Sequence, residues 1–118
     1  MYRSALVAAL AGAAVSSASA LASAPPVGPL PAGPTTTITA AKGTLVSVAL
    51  PQRSGKSWRL ARRVSSRVLV ETGEADVGSS VVVVYRAVGR GTVRVAYGLT
   101  RGETAHAYAS ATFIVRIR

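Results

Sequence analysis

Val46, Val48 and Leu50 alternate with Ser47 and Ala49, and the same two-residue rhythm returns at Val81-Val83-Tyr85, Val93-Val95-Tyr97 and Phe113-Val115-Ile117. Side chains of a strand point alternately to its two faces, so each set marks one buried face, with Arg94, Ala96 and Arg116 turned outward. Segments 35–41, 44–50, 57–61, 67–71, 80–87, 92–99 and 108–117 carry this alternation or a β-branched composition, with turn residues between them. Seven short strands predict an all-β fold, a single Ig-like antiparallel β-sandwich over residues 35–118. Helical spacing competes only in 58–70, through Leu60, Val64 and Val68. There the short run Val68-Leu69-Val70 and the break at Ser65-Ser66 favour two strands and a loop.

The alternation also predicts a pairing. If Val81, Val83 and Tyr85 share a face with Val93, Val95 and Tyr97 in one hairpin, Tyr85 opposes Val93 and the turn is Val88-Gly89-Arg90. The pair Gly89 and Gly91 is then a turn signal rather than a phosphate-binding loop, since no helix follows and no third glycine arrives.

Ahead of the strands the pattern changes character. A short basic start with Arg3, the small-apolar run from Ala5 to Val15, and small residues up to Ala22 read as a cleavable signal peptide over residues 1–22. Ala20, Ala22 and Ala24 are the candidate cleavage points. The apolar run is too short for the ~20 residues of a spanning helix, so no transmembrane span is expected in the mature form. The predicted location is secreted, periplasmic or cell-envelope. Residues 23–34, with Pro25, Pro26, Pro29, Pro31 and Pro34, read as a proline-rich linker.

Composition narrows the chemistry. The chain has no cysteine, which removes disulfides, thiolate metal sites and a thiol nucleophile together. With one tryptophan and one phenylalanine, the core consists of many small β-branched contacts, and Trp58 is its largest piece. His106 is the one histidine, three residues from Glu103, and no nucleophile elbow or metal-ligand spacing accompanies it. No catalytic residue, metal site or cofactor is therefore expected. Fourteen lysines and arginines against four acids give a net charge of +10, a field that draws anionic partners. Arg59, Arg62, Arg63 and Arg67, with Arg53 and Lys56 just before them, form the densest basic stretch and a candidate site for an anionic envelope polymer. Only Trp58 is interleaved as an aromatic, so no specific nucleic-acid reading is expected.

Gly43-Thr44-Leu45-Val46-Ser47-Val48-Ala49-Leu50-Pro51, then Ser54-Gly55-Lys56-Ser57-Trp58, the Tyr85 and Tyr97 strands, and Phe113-Ile114-Val115-Arg116-Ile117 resemble the chagasin family. The family's members are Ig-like inhibitors of papain-type cysteine proteases. The resemblance implies that three loops at one end of the sandwich enter a protease cleft. On this chain those loops are 52–56, 76–79 and 98–103, with Gln52, Arg53, Ser54, Gly55, Gly78, Gly98, Leu99 and Thr100 as the protease-binding residues. Ser54 and Gly55 match the second threonine and the glycine of the family's Asn-Pro-Thr-Thr-Gly motif, whereas Gln52 and Arg53 replace its proline and first threonine. The Arg-Pro-Trp that follows the family's strand tyrosine is replaced by Gly98-Leu99-Thr100, which implies weakened inhibition. Two other readings fit the same residues: a cationic envelope module binding anionic polymers, and an Ig-like structural or adhesion module.

Overall fold

The structure, a computed structural model, describes residues 25–118; the signal-peptide reading lies outside them. Seven strands follow in order: β1 (Thr35–Ala40), β2 (Leu45–Pro51), β3 (Ser57–Leu60), β4 (Leu69–Asp76), β5 (Ser80–Ala87), β6 (Gly91–Thr100) and β7 (Ala109–Ile117). They form a four-stranded sheet, β1-β7-β6-β3, and a three-stranded sheet, β2-β5-β4. One pairing departs from the antiparallel expectation. β1 runs parallel to β7, because it is not joined to β7 by a hairpin but continues into β2 of the other sheet.

The alternating sets meet between the sheets. Val46, Val48, Leu50, Val83 and Tyr85 of one sheet pack against Val95, Tyr97, Phe113, Val115 and Ile117 of the other, and all are buried. Tyr97 stands edge-on to Phe113, and its hydroxyl is 2.5 Å from that of Tyr85, so two phenols satisfy each other across the layer. Burial of each aliphatic side chain here contributes about 1.5–3 kcal/mol.

The expected pairing of Tyr85 with Val93 is not formed. β5 lies between β2 and β4, and β6 between β7 and β3, so the connection 88–90 crosses from one sheet to the other. Strands of both sheets turn an apolar set toward one core. Alternation therefore brings them to the same interior without making them neighbours within a sheet.

β4 is longer than the 67–71 expected. It pairs along β5 with a bulge between Glu71 and Gly73, which resets the side-chain phase. Glu71 is then opposite Tyr85, Glu74 opposite Val83 and Asp76 opposite Val81, so three acids share the inner face of an edge strand.

The proline-rich stretch, from Pro25 to Pro34, contains no strand but lies against the domain. Val27 is buried, the Gly28 N–H donates to the Ala105 carbonyl, and the Ser110 hydroxyl donates to the Pro31 carbonyl. A Cβ on Gly98 would lie 2.5 Å from Val27 and 3.0 Å from Leu30, so β6 has a glycine where this segment crosses it. Ala96 faces away from the core as expected and is nonetheless buried.

Candidate functional site

Strand register brings three connections to one end of the sandwich. Pro51 is opposite Ser80, Asp76 opposite Val81 and Ser57 opposite Thr100, so 52–56, 77–79 and 101–108 all leave from the same side. The first two loops are tied to each other. The Gln52 N–H donates to the Ser79 carbonyl at 3.0 Å, and the Gln52 side chain lies beside the Asp76 carboxyl. Asp76 also accepts from the Gly78 N–H at 2.9 Å, the Asx-turn that short acidic side chains make. The Gly78 bond and the neighbouring Gln52 side chain hold the Asp76 carboxyl below its ordinary range.

The first loop also meets the third. Lys56 Nζ sits 5.0 Å above the Tyr108 ring, and the Arg101 guanidinium approaches the same ring at 6.0 Å. His106 packs edge-on against Tyr108 as well, at 4.5 Å between ring centres. Within the third loop, Thr100 donates to the Gly102 carbonyl and Thr104 to the Arg101 carbonyl. At the base of the first loop the Trp58 indole N–H donates to the Pro51 carbonyl at 2.8 Å, closing the loop across its neck.

Arg53, Ser54 and Gly55 stand exposed at the tip of the first loop, with half-buried Gln52 at its base. Gly55 and Gly78 have φ of 74° and 91°, a conformation that excludes an ordinary side chain at both turns. The third loop begins and ends later in the chain than expected. Gly98, Leu99 and Thr100 are not loop residues but the last residues of β6, and all three are buried, with Gly98 lying against Val27 and Leu30. The exposed connection begins at Arg101.

Tyr108, about half exposed, is the aromatic side chain presented at this end; it precedes β7 instead of opening it as the 108–117 alternation predicts. An aromatic residue after a polar, glycine-containing stretch was the available signal. Beside the loops the sandwich is open between β3 and β4. This cleft of about 340 Å³ is lined by Trp58, Leu60 and Tyr97 of one sheet and by Leu50, Glu71 and Glu74 of the other. Desolvation first, and the Glu74 charge second, push the Glu71 carboxyl above its ordinary value.

The basic stretch does not gather on one surface. Arg59 donates to the carbonyls of Thr104 and Pro25, both at 2.6 Å, and so joins the third loop to the proline-rich segment. Arg62, Arg63 and Arg67 are exposed along the 61–68 connection, which leads to the far end of the sandwich.

No protein-family model matches the chain, and no curated protein matches it at the level of sequence. Solved structures do. The cysteine protease inhibitor EhICP2 from Entamoeba histolytica superposes with a TM-score of 0.54 at 16% identity, over 71% of this chain and 95% of the inhibitor. Amebosin superposes with a TM-score of 0.54 at 22% identity, over 77% of this chain and all of amebosin. PbICP-C, solved in complex with falcipain-2, gives 0.49 at 14% identity, over 78% of this chain and 96% of PbICP-C. The sandwich is thus similar in fold to solved chagasin-family cysteine protease inhibitors, the likeness that the strand and loop motifs carry in the sequence.

Proposed function

We propose that this chain is an exported inhibitor that binds papain-type cysteine proteases through the loops 52–56, 77–79 and 101–108. The observation that carries the reading is the convergence of the three loops, each tied to another: Gln52 to Ser79, and Lys56 to Tyr108. The likeness of fold to a protein solved as a cysteine protease inhibitor supports it.

A wedge of loops inhibits by filling a cleft with a shape that costs little ordering on binding. Where the resembling family has a proline, Gln52 ties the first loop to the second, which restores part of the stiffness a proline supplies. Tyr108 takes the place of the missing tryptophan as the aromatic anchor, flanked by Lys56 and Arg101. Arg53, Lys56 and Arg101 make the rim basic, so the preferred protease carries acidic side chains around its cleft.

The test is a titration of the chain against papain with a fluorogenic substrate, in enough salt to screen unspecific attraction. Saturable inhibition, lost in the double variant Gly55→Val, Tyr108→Ala and kept in Arg116→Gln, is the expected result. Absence of inhibition at high micromolar concentration, or inhibition indifferent to the loop variant, contradicts the proposal.

A further inference from the structure

The chain's four acids lie on the inner row of β4 and in the third loop. The opposite end of the sandwich carries none. It is built from the connections 41–44, 61–68 and 88–90 together with the end of β7, and it presents Lys42, Arg67, Arg90, Arg116 and Arg118. Backbone bonds hold these segments together: Lys42 N–H to the Arg118 carbonyl at 2.8 Å, and Val88 N–H to the Val68 carbonyl at 2.8 Å. No ligating side chain is consumed in that bracing.

On the outer face of the four-stranded sheet this basic end continues as a shallow groove of about 440 Å³, lined by Thr39, Thr92, Arg116 and Arg118. Thr39, Arg116 and Thr92 stand side by side in one row across β1, β7 and β6. In the next row Thr37 and Arg94 flank Ile114. Arg94 is the diagonal neighbour of Arg116, about 7–8 Å away, and Arg118 follows Arg116 by two residues, just past the end of β7. The face therefore carries three arginines whose backbone positions follow one another at nearly constant spacing, with Thr37, Thr39 and Thr92 flanking them and all three arginines exposed.

We infer that this groove binds a linear polymer bearing a phosphate on each repeat. Guanidinium forks match phosphate oxygens in pairs, and twelve of the chain's fourteen bases are arginine. The line of charges suits a linear chain rather than a lipid surface, because the exposed Leu45 and Val70 flank Arg86 on the outer face of the other sheet. Occupation of the groove leaves the three loops at the other end free, so one molecule can be held on a polyanion and still present them.

The test titrates the chain with inorganic polyphosphate across a range of salt concentration. In the variant Arg94→Gln, Arg116→Gln, Arg118→Gln the affinity falls by about tenfold or more and the slope of log K against log salt drops by roughly two. A matched variant with the same net charge, Arg53→Gln, Lys56→Gln, Arg101→Gln, stays within about twofold of the parent. Arg116→Lys, which keeps charge and loses the fork, separates fork recognition from charge alone and weakens binding measurably. Unchanged thermal unfolding in both triple variants confirms that folding is not the cause. Equal weakening by the two triple variants, absence of polyphosphate binding by the parent, or equal binding to vesicles of anionic lipid each overturns the inference.

Discussion

The two ends of the sandwich are held together in different ways. At the loop end, side chains do much of the bracing: Asp76 to Gly78, Trp58 to Pro51, Arg59 to Thr104 and Pro25. At the basic end, backbone pairs do it: Gly43 to Ala87, Ala87 to Thr44, Val88 to Val68, Arg118 to Ala40. Sequence changes at the loop end therefore alter loop shape directly, whereas the basic end keeps its shape and its arginines remain available. A binding edge that adapts by substitution and a fixed charged face are the expected products of these two constructions.

The sharpest way to break the contrast is Gly89→Ala. Its Cβ would lie 2.1 Å from the Arg67 carbonyl oxygen, a backbone atom that cannot swing aside. Denaturant unfolding should show a loss of about 3 kcal/mol, and amide exchange should rise at 65–68 and 88–91 before it rises in the loops.

Arg59→Ala acts on the other end and costs less, about 1 kcal/mol, since two charge-assisted bonds to carbonyls are lost at a partly solvated site. Amide exchange should rise at Gly28 and in 101–108, with the basic end unaffected.

Asp76→Ala removes the carboxylate that holds the second turn, leaving the Gln52–Ser79 backbone bond in place, and is expected to weaken protease inhibition about tenfold with little change in unfolding midpoint. The lowered Asp76 carboxyl gives a pH signature. Its contribution is present above the ordinary value of 3.8 and is lost as pH falls through the lower folded value, so the Gly78 amide resonance should titrate below 3.8.

Glu71→Gln is the smallest effect and has the opposite sign. The raised Glu71 carboxyl favours its protonated form in the fold, so stability is full below 4.5 and declines as pH rises through the folded value. After discounting for solvent screening, the glutamine variant should be a few tenths of a kcal/mol more stable at neutral pH and equal to the parent near pH 3.

Alternation located the strands because each has one face on the same dry interior, and Val46-Val48-Leu50 or Phe113-Val115-Ile117 cannot be slipped by one residue without exposing the whole set. Alternation could not tell which strands share a sheet, which is why Tyr85 and Tyr97 meet across the core rather than along a hairpin. β4 was cut short because Glu71, Gly73, Glu74 and Asp76 look like a turn; an edge strand beside an open cleft tolerates acids on its inner face, and the bulge that aligns them leaves no periodic trace. At the candidate site, the tip residues Arg53, Ser54 and Gly55 were legible from the motif. Gly98-Leu99-Thr100 was not, since the glycine that suggested a turn is required by Val27 and Leu30 of a segment more than sixty residues earlier. Tyr108 was hidden for a related reason: its exposure depends on where β7 begins, one residue later than the sequence suggests.

The most direct measurement is amide hydrogen exchange of the chain saturated with inactivated papain. Protection confined to 52–56, 77–79 and 101–108, with 39–44, 88–94 and 116–118 exchanging as in the free protein, is the expected result. Protection of the basic end with free exchange in the three loops, or no protection at saturating protease, contradicts the account.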